Sequence, residues 1–188
     1  MVGKGIIVDR ELSKSTHKGQ NSILLIEKII RERIFDSLYW KQYCFNVNAA
    51  LILDRCVEIR CVGGLETSGK PMGFICLLVK LIQLMPQREI IEFYLNQGKF
   101  KYLKVLAMVF IRLVYRDGGL LKKQLNDYRK VRLYEHGEYK LSYVDEIADK
   151  LLNDEMFIGL NLPYMKTNGD DESDDESDGS DEDDSDSD

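Results

Sequence analysis

The sequence predicts an all-α fold, a mainly helical single domain with one small β-hairpin near residues 131–142, followed by a disordered acidic tail. Three observations carry that expectation. Apolar residues recur at helical spacing through most of the chain. Period-two alternation occurs convincingly in one place, at Val131 and Leu133 and then at Tyr139, Leu141 and Tyr143, around a turn at Glu135-His136-Gly137. From Gly169 to Asp188 the chain contains only Asp, Glu, Ser and Gly, which leaves nothing to bury. With 188 residues there is enough chain for one sizeable core and not for two.

Taken in order, residues 1–19 are mostly polar and aperiodic and are expected to form a flexible arm. Ile23, Ile26, Ile30 and Ile34 then mark one face of an amphipathic helix, with Glu27, Lys28, Arg31 and Arg33 elsewhere on it. Tyr39-Trp40 opens a short second helix, and Val47 to about Cys61 forms a third. Gly63 to Gly69 is a loop. Phe74, Leu77, Leu78, Leu81, Ile82 and Met85 form a wide apolar stripe, with Pro71 in the first helical turn and Pro86 ending this helix and starting the next. That one ends near Asn96-Gln97-Gly98. Leu103, Leu106, Phe110 and Leu113 mark the most hydrophobic helix, stopped by Asp117-Gly118-Gly119. After the hairpin, Ser142 with Asp145 three residues on resembles a capping box for a last helix over 143–153. The domain is thus expected over 20–168 and the tail over 169–188.

The net charge of −6 conceals a segregation. The tail holds 13 acidic residues and no basic one, which leaves 26 basic against 19 acidic groups in the rest, a body of +7. Such a body attracts polyanions while the tail opposes them. The longest unbroken apolar run, Val105 to Ile111, is seven residues, against the roughly 18 that suggest a membrane span. Gly5-Ile6-Ile7-Val8 is too short for a secretory signal, and Val2 stands where N-myristoylation needs glycine. The four cysteines, Cys44, Cys56, Cys61 and Cys76, are expected as free thiols in the cytosol or nucleus.

The residues offer little chemistry. Gly64-Leu65-Glu66-Thr67-Ser68-Gly69-Lys70 matches a phosphate-cradling G-x-x-x-x-G-K, but Pro71 stands where a magnesium-binding hydroxyl belongs. A plain loop is the better reading. The cysteines lack a Cys-x-x-Cys pair and the two histidines, His17 and His136, are far apart, so no metal or cofactor site is expected. No nucleophile signature or metalloprotease helix occurs, and no enzymatic activity is expected. Two stretches mix cations with aromatics: Lys99 to Lys104, and Asp127 to Arg132. Stacking aromatics among cations suit RNA; in the first stretch, Phe100 and Tyr102 are better read as core aromatics beneath a face solubilised by the lysines.

In sequence order, these residues resemble the pre-mRNA-splicing factor 38 family. The likeness begins with Asn21 and runs through Leu25 to Arg31, Arg33-Ile34, Ser37, Tyr39-Trp40-Lys41 and Cys44-Phe45. It continues through Glu58, Arg60, Val62-Gly63-Gly64, Lys70-Pro71, Phe74, Cys76-Leu77, Phe100-Lys101-Tyr102 and Arg112-Leu113. It ends with Asn126 to Lys130 and Val144-Asp145-Glu146, covering roughly residues 18–163. The resemblance implies an all-helical, non-enzymatic nuclear protein that joins the assembled but not yet catalytic spliceosome and is needed for its activation. Implied partners are a microfibrillar-associated protein 1 homologue, a small zinc-finger splicing protein and tri-snRNP components. There are two departures. Lys18 stands where the family often has histidine, and an acidic stretch replaces the arginine–serine tail of animal members.

Tyr39, Trp40, Asn126, Asp127, Tyr128, Arg129 and Lys130 are the candidate partner-binding residues, since helix packing alone does not call for them, with Trp40 either an interface anchor or a core residue. A chain monomeric on its own, docking an amphipathic helix of a partner, is the expected mode. The alternative is a direct RNA-binding module using the basic body, weak in affinity. Ser173, Ser180 and Ser185 each have an acidic residue three positions on, a pattern suited to an acidophilic kinase. Phosphorylation there would add about −1.5 to −2 charges each, and the tail either lowers nonspecific RNA binding by the body or serves only to keep the chain in solution.

Overall fold

The computed structural model of the chain describes residues 16–17 and 20–165. Most of the predicted arm, and the whole acidic tail with Ser173, Ser180 and Ser185, lie outside the described residues.

Two helices buried on nearly all sides form the centre. In α3 (Gly73–Leu84) ten of twelve residues are buried, so the apolar stripe read from sequence is the wider part of an all-round apolar helix. It packs on α5 (Lys101–Phe110), where Leu103 and every residue from Val105 to Phe110 are buried. A π turn, Ile111–Tyr115, prolongs α5 and keeps Leu113 in the core. The remaining helices cover this pair: α1 (Lys28–Asp36), α2 (Ala49–Glu58), α4 (Arg88–Asn96), the short α6 (Gly118–Lys122) and α7 (Val144–Asn153). No helix among the described residues is long and apolar enough to cross a membrane.

Each element has a local cause. Ile23 sits in a 3-10 turn (Ser22–Leu25) ahead of α1, and Ile23, Ile26, Ile30 and Ile34 are all buried as their spacing predicts. Ser37 ends α1: its hydroxyl donates to the Ile34 carbonyl at 2.6 Å and accepts from the Trp40 amide at 3.2 Å. That turn delivers Trp40–Cys44 as a π turn rather than an ordinary helix. Asn48 caps α2 by accepting from the Leu51 amide at 2.9 Å.

The hairpin is β4 (Lys130–Glu135) with β5 (Glu138–Tyr143), joined by His136 and Gly137, both at positive φ as a two-residue turn of this hand requires. Val131, Leu133 and Ser142 face the core. The hairpin is also part of a larger sheet. Gly63, read as the start of a loop, instead forms with Val62 the strand β3 (Val62–Gly63), which pairs in parallel with Leu133 and Tyr134 of β4. Gly64 follows because an added Cβ there would meet the Ile158 carbonyl oxygen at 2.0 Å. Two further pairs of two-residue strands were not anticipated: β1 (Thr16–His17) with β2 (Gln20–Asn21), and β6 (Met156–Phe157) with β7 (Leu160–Asn161).

Four details at the ends of helices differ from expectation. Pro71 lies outside α3, bridged to Leu65, and the helix starts at Gly73; likewise α4 starts at Arg88 and not at Pro86. Asp117 does not stop α5. Arg116, in the left-handed region, does that, and Asp117 caps α6 by accepting from the Leu120 amide at 3.2 Å. The carboxylate at the start of α7 is that of Glu146, not Asp145. It accepts from the Tyr143 amide at 3.1 Å and from the Ser142 hydroxyl at 2.8 Å.

Arg112 is a buried cation. Its Nε donates to the Leu151 carbonyl at 2.6 Å and its Nη1 to that of Pro163, which ties α5 to the end of α7 and to the chain beyond it. Burial, with Arg116 nearby, pushes its pKa down from the ordinary arginine value.

Candidate functional site

The Gly64–Lys70 loop is not arranged as a phosphate cradle, because four of its amides already have acceptors within the protein. Glu66 donates to the Lys70 carbonyl and Gly69 to that of Glu66, both at 2.8 Å. Thr67 donates to the Tyr134 hydroxyl at 3.3 Å and Lys70 to the Ser68 hydroxyl at 3.4 Å. A phosphate loop points such amides at its ligand. Lys70→Ala is therefore expected to leave behaviour toward nucleotides unchanged, with no saturable thermal shift from magnesium-ATP in either protein. A shift in the wild type that disappears in the variant would make this loop a nucleotide site.

The thiols are chemically quiet. Cys44, Cys56 and Cys76 are buried and free, and Cys61 is half-buried. Burial pushes Cys61 up to about 11 and Cys56 and Cys76 up to about 12, and raises Cys44 as well. At neutral pH these groups stay protonated and are poor nucleophiles and metal ligands. His136 occupies the hairpin turn, where its positive φ is what the turn needs.

Two candidate residues, Tyr39 and Trp40, are neighbours in sequence and separate in role. Trp40 is 7% exposed, edge-on to Phe35 with ring centroids 4.8 Å apart, and the Lys80 ammonium lies 5.8 Å from its ring. Its side chain is part of the core. Tyr39 is half-buried and lines two open grooves, one on each side of it.

The first groove, of about 490 Å³, runs between α1 and the Gly69–Pro71 segment of the loop. Its apolar walls are Ile29 and Leu38, which are 64% and 68% exposed, with Tyr39 and Pro71. Glu32, Arg33, Asp36 and Lys70 surround them, both signs interspersed. Gly69, at φ +80°, lets the Arg33 guanidinium lie across the loop; a Cβ there would meet it at 2.7 Å. Apolar contacts framed by mixed charge suit an amphipathic helix. Sequence reasoning passed over Ile29 and Leu38. The signal available was that both fall off the buried stripe Ile23, Ile26, Ile30 and Ile34.

The block from Asn126 to Lys130 is brought together, but largely as a structural knot. Asp127 accepts from the Lys104 ammonium at 2.6 Å and from the Arg129 guanidinium at 2.7 and 2.9 Å. Its carbonyl takes the Asp145 amide at 3.0 Å and the Arg129 carbonyl takes that of Val144 at 3.1 Å, which secures the start of α7. Arg129 Nη1 also donates to the Gly98 carbonyl, and the Lys101 ammonium donates to that of Lys130. Tyr128, 68% exposed, projects from the knot, and Asn126 and Lys130 are exposed beside it.

Comparisons with known proteins agree with this architecture. A family model described as the PRP38 family matches residues 15–175. Pre-mRNA-splicing factor 38 of Schizosaccharomyces pombe is 44% identical over 146 residues, covering 76% of this chain and 70% of that protein. Pre-mRNA-splicing factor 38A of Homo sapiens is 38% identical over 156 residues, covering 79% of this chain and 49% of that protein. The chain thus spans about half the length of its vertebrate relatives. Among solved structures, a chain in the crystal structure of the Snu23-Prp38-MFAP1(217-258) complex of Chaetomium thermophilum matches with a TM-score of 0.75 and 42% identity. The match covers 79% of this chain and 80% of that one.

Proposed function

We propose, from the premise that this chain belongs to the PRP38 family, that it is a non-catalytic nuclear splicing factor serving as a docking platform in spliceosome activation. The observation that carries this reading is the likeness, at 42% identity, to a chain crystallised within a Snu23-Prp38-MFAP1 complex. Residues 20–168 form the platform, and the counterparts of Snu23 and MFAP1 are its partners, with tri-snRNP components reached in the assembled particle. The groove lined by Ile29, Leu38 and Tyr39 takes an amphipathic helix, the mode its apolar walls and mixed-charge rim favour. Tyr128 with Asn126 and Lys130 supplies a second contact. The quiet thiols and the closed amides of the Gly64–Lys70 loop support a role in binding over one in catalysis.

The test is reconstitution of the full chain with the corresponding Snu23 and MFAP1 segments, followed by size exclusion and calorimetry. A stable ternary complex is expected. Ile29→Asp with Leu38→Asp, both exposed and so harmless to the core, should weaken one partner about tenfold or more, at about 1.4 kcal/mol per factor of ten. Wild-type affinity in that variant would move the helix site elsewhere. Failure of both partners to bind would overturn the platform reading itself.

A further inference from the structure

The second groove beside Tyr39, of about 420 Å³, has a different chemistry from the first. Tyr43, Arg60, Arg132 and Tyr139 line it, from the π turn after α1, the exit of α2, β4 and β5. The hairpin register explains how they meet. Val131, Leu133 and Ser142 face the core, so Arg132, Leu141 and Tyr139 occupy the opposite, outward face of the sheet. Tyr139 and Leu141 are 59% and 64% exposed there.

The two arginines are held from behind. The Tyr102 hydroxyl donates to the Arg60 carbonyl at 2.8 Å and accepts from the Arg132 amide at 3.4 Å, joining the two backbones through one ring. The Arg132 guanidinium lies 5.7 Å from the Tyr139 ring centroid. Among the described residues, Glu58 is the one carboxylate lining the groove, and it pairs with Arg55, whose guanidinium covers Tyr43 at 5.1 Å. Arg60 and Arg132 have no ion-pair partner among the described residues. Lys130, exposed on the same outward face of β4, extends the positive surface.

We propose that this sheet face and its groove bind single-stranded RNA, with Arg60 and Arg132 on successive phosphates and a base against Tyr139 and Leu141. An acidic peptide would use the cations alone. The exposed ring and leucine beside them offer the flat apolar surface that an unpaired base covers and a carboxylate does not. This site does not rest on the platform reading, and it lies on a different groove from the one assigned to a partner helix.

The experiment is fluorescence anisotropy of a labelled 12-nucleotide oligouridine with the full chain, titrated across salt concentrations. Arg60→Ala with Arg132→Ala should weaken binding about tenfold and lower the salt slope by about 1.4, at roughly 0.7 for each single-strand phosphate no longer neutralised. Tyr139→Ala should cost about fivefold or more through the missing stacking surface. Lys122→Ala with Lys123→Ala, exposed on α6 and the turn after it, is the control and should change affinity less than twofold. A second measurement keeps the wild-type fold: 4-thiouridine crosslinks should fall on the β4–β5 peptide. No binding by the full chain at low salt, an equal loss in the control, or crosslinks confined to other segments would overturn the proposal. So would tighter binding at the same arginines by a synthetic peptide of residues 169–188, which would make the groove an acidic-peptide site. None of these results bears on capture of the Snu23 and MFAP1 counterparts.

Discussion

Replacing Trp40 with alanine is expected to cost about 3–5 kcal/mol of stability, the range for deleting a large buried aromatic. For a body of this size that means a fall in Tm on the order of 10 °C. The side chain is 7% exposed, it makes an edge-to-face pair with Phe35 at 4.8 Å, and the mostly buried Lys80 places its ammonium 5.8 Å from the indole. Alanine removes the ring from both neighbours and leaves a cavity beneath the turn that Ser37 sets up. Trp40→Phe keeps a ring in place and should lose less than half as much. Urea denaturation followed by circular dichroism measures both. The same proteins decide whether Trp40 also contacts a partner. If Trp40→Ala, at a temperature where it is folded, captures partners like the wild type, the residue acts through the core alone. A loss of capture beyond the unfolded fraction assigns it an interface role as well.

Asp127→Ala is expected to destabilise the fold by about 2–4 kcal/mol, because it strands a largely buried ammonium. The Lys104 side chain is 11% exposed and its Nζ sits 2.6 Å from the Asp127 carboxylate. Arg129, held by the same carboxylate, would lose its anchor between Asp127 and the Gly98 carbonyl. The hydrogen bond from Arg129, then the pull of Lys104, holds the Asp127 carboxyl well below the usual carboxylate range. In the unfolded chain it titrates near 3.9. Between the two values the unfolded state carries the proton and the folded state does not, so stability rises with pH through that window. The contribution is complete above about pH 5 and drains away as pH falls below about 4. Asp127→Asn keeps the shape without the charge. Its deficit relative to wild type should be largest at neutral pH and shrink toward pH 3. A deficit that stays constant with pH would mean that the ion pairs contribute nothing and that the backbone turn alone secures the knot.

Both residues belong to blocks that stood out as candidate contact residues in the sequence. An aromatic pair followed by lysine, and a dense Asn-Asp-Tyr-Arg-Lys run, announce that something specific occurs there. They do not announce which way each side chain points. Tyr39 immediately precedes the π turn that Trp40 opens, and that small difference puts one on the grooves and the other in the core. Asp127 faces Lys104 only because the 3-10 turn Lys123–Asn126 and strand β4, on either side of it, bring it to the start of α5, 23 residues away in sequence. The grooves were not legible at all. Ile29 and Leu38 meet Pro71 across a loop, and Arg60 meets Arg132 through the Tyr102 hydroxyl, so each juxtaposition depends on segments far apart in the chain.

By itself the sequence determined the helical character of the chain, the burial of Ile23, Ile26, Ile30 and Ile34, the centrality of the Leu103–Leu113 segment and the β4–β5 hairpin. These are matters of period: 3.6 or 2 residues per repeat is written into neighbouring positions and survives whatever the rest of the chain does. The blocks from Leu25 to Glu146 also carried the family. Tertiary structure alone decided that Val62–Gly63 is a strand, that Asp117 begins a helix and that Trp40 is core. A two-residue strand has no period to read, and it exists because β4 offers it a partner edge some 70 residues on. An aspartate before two glycines can end one helix or cap the next, and the Leu120 amide that settles it is in place only once Arg116 has turned the chain.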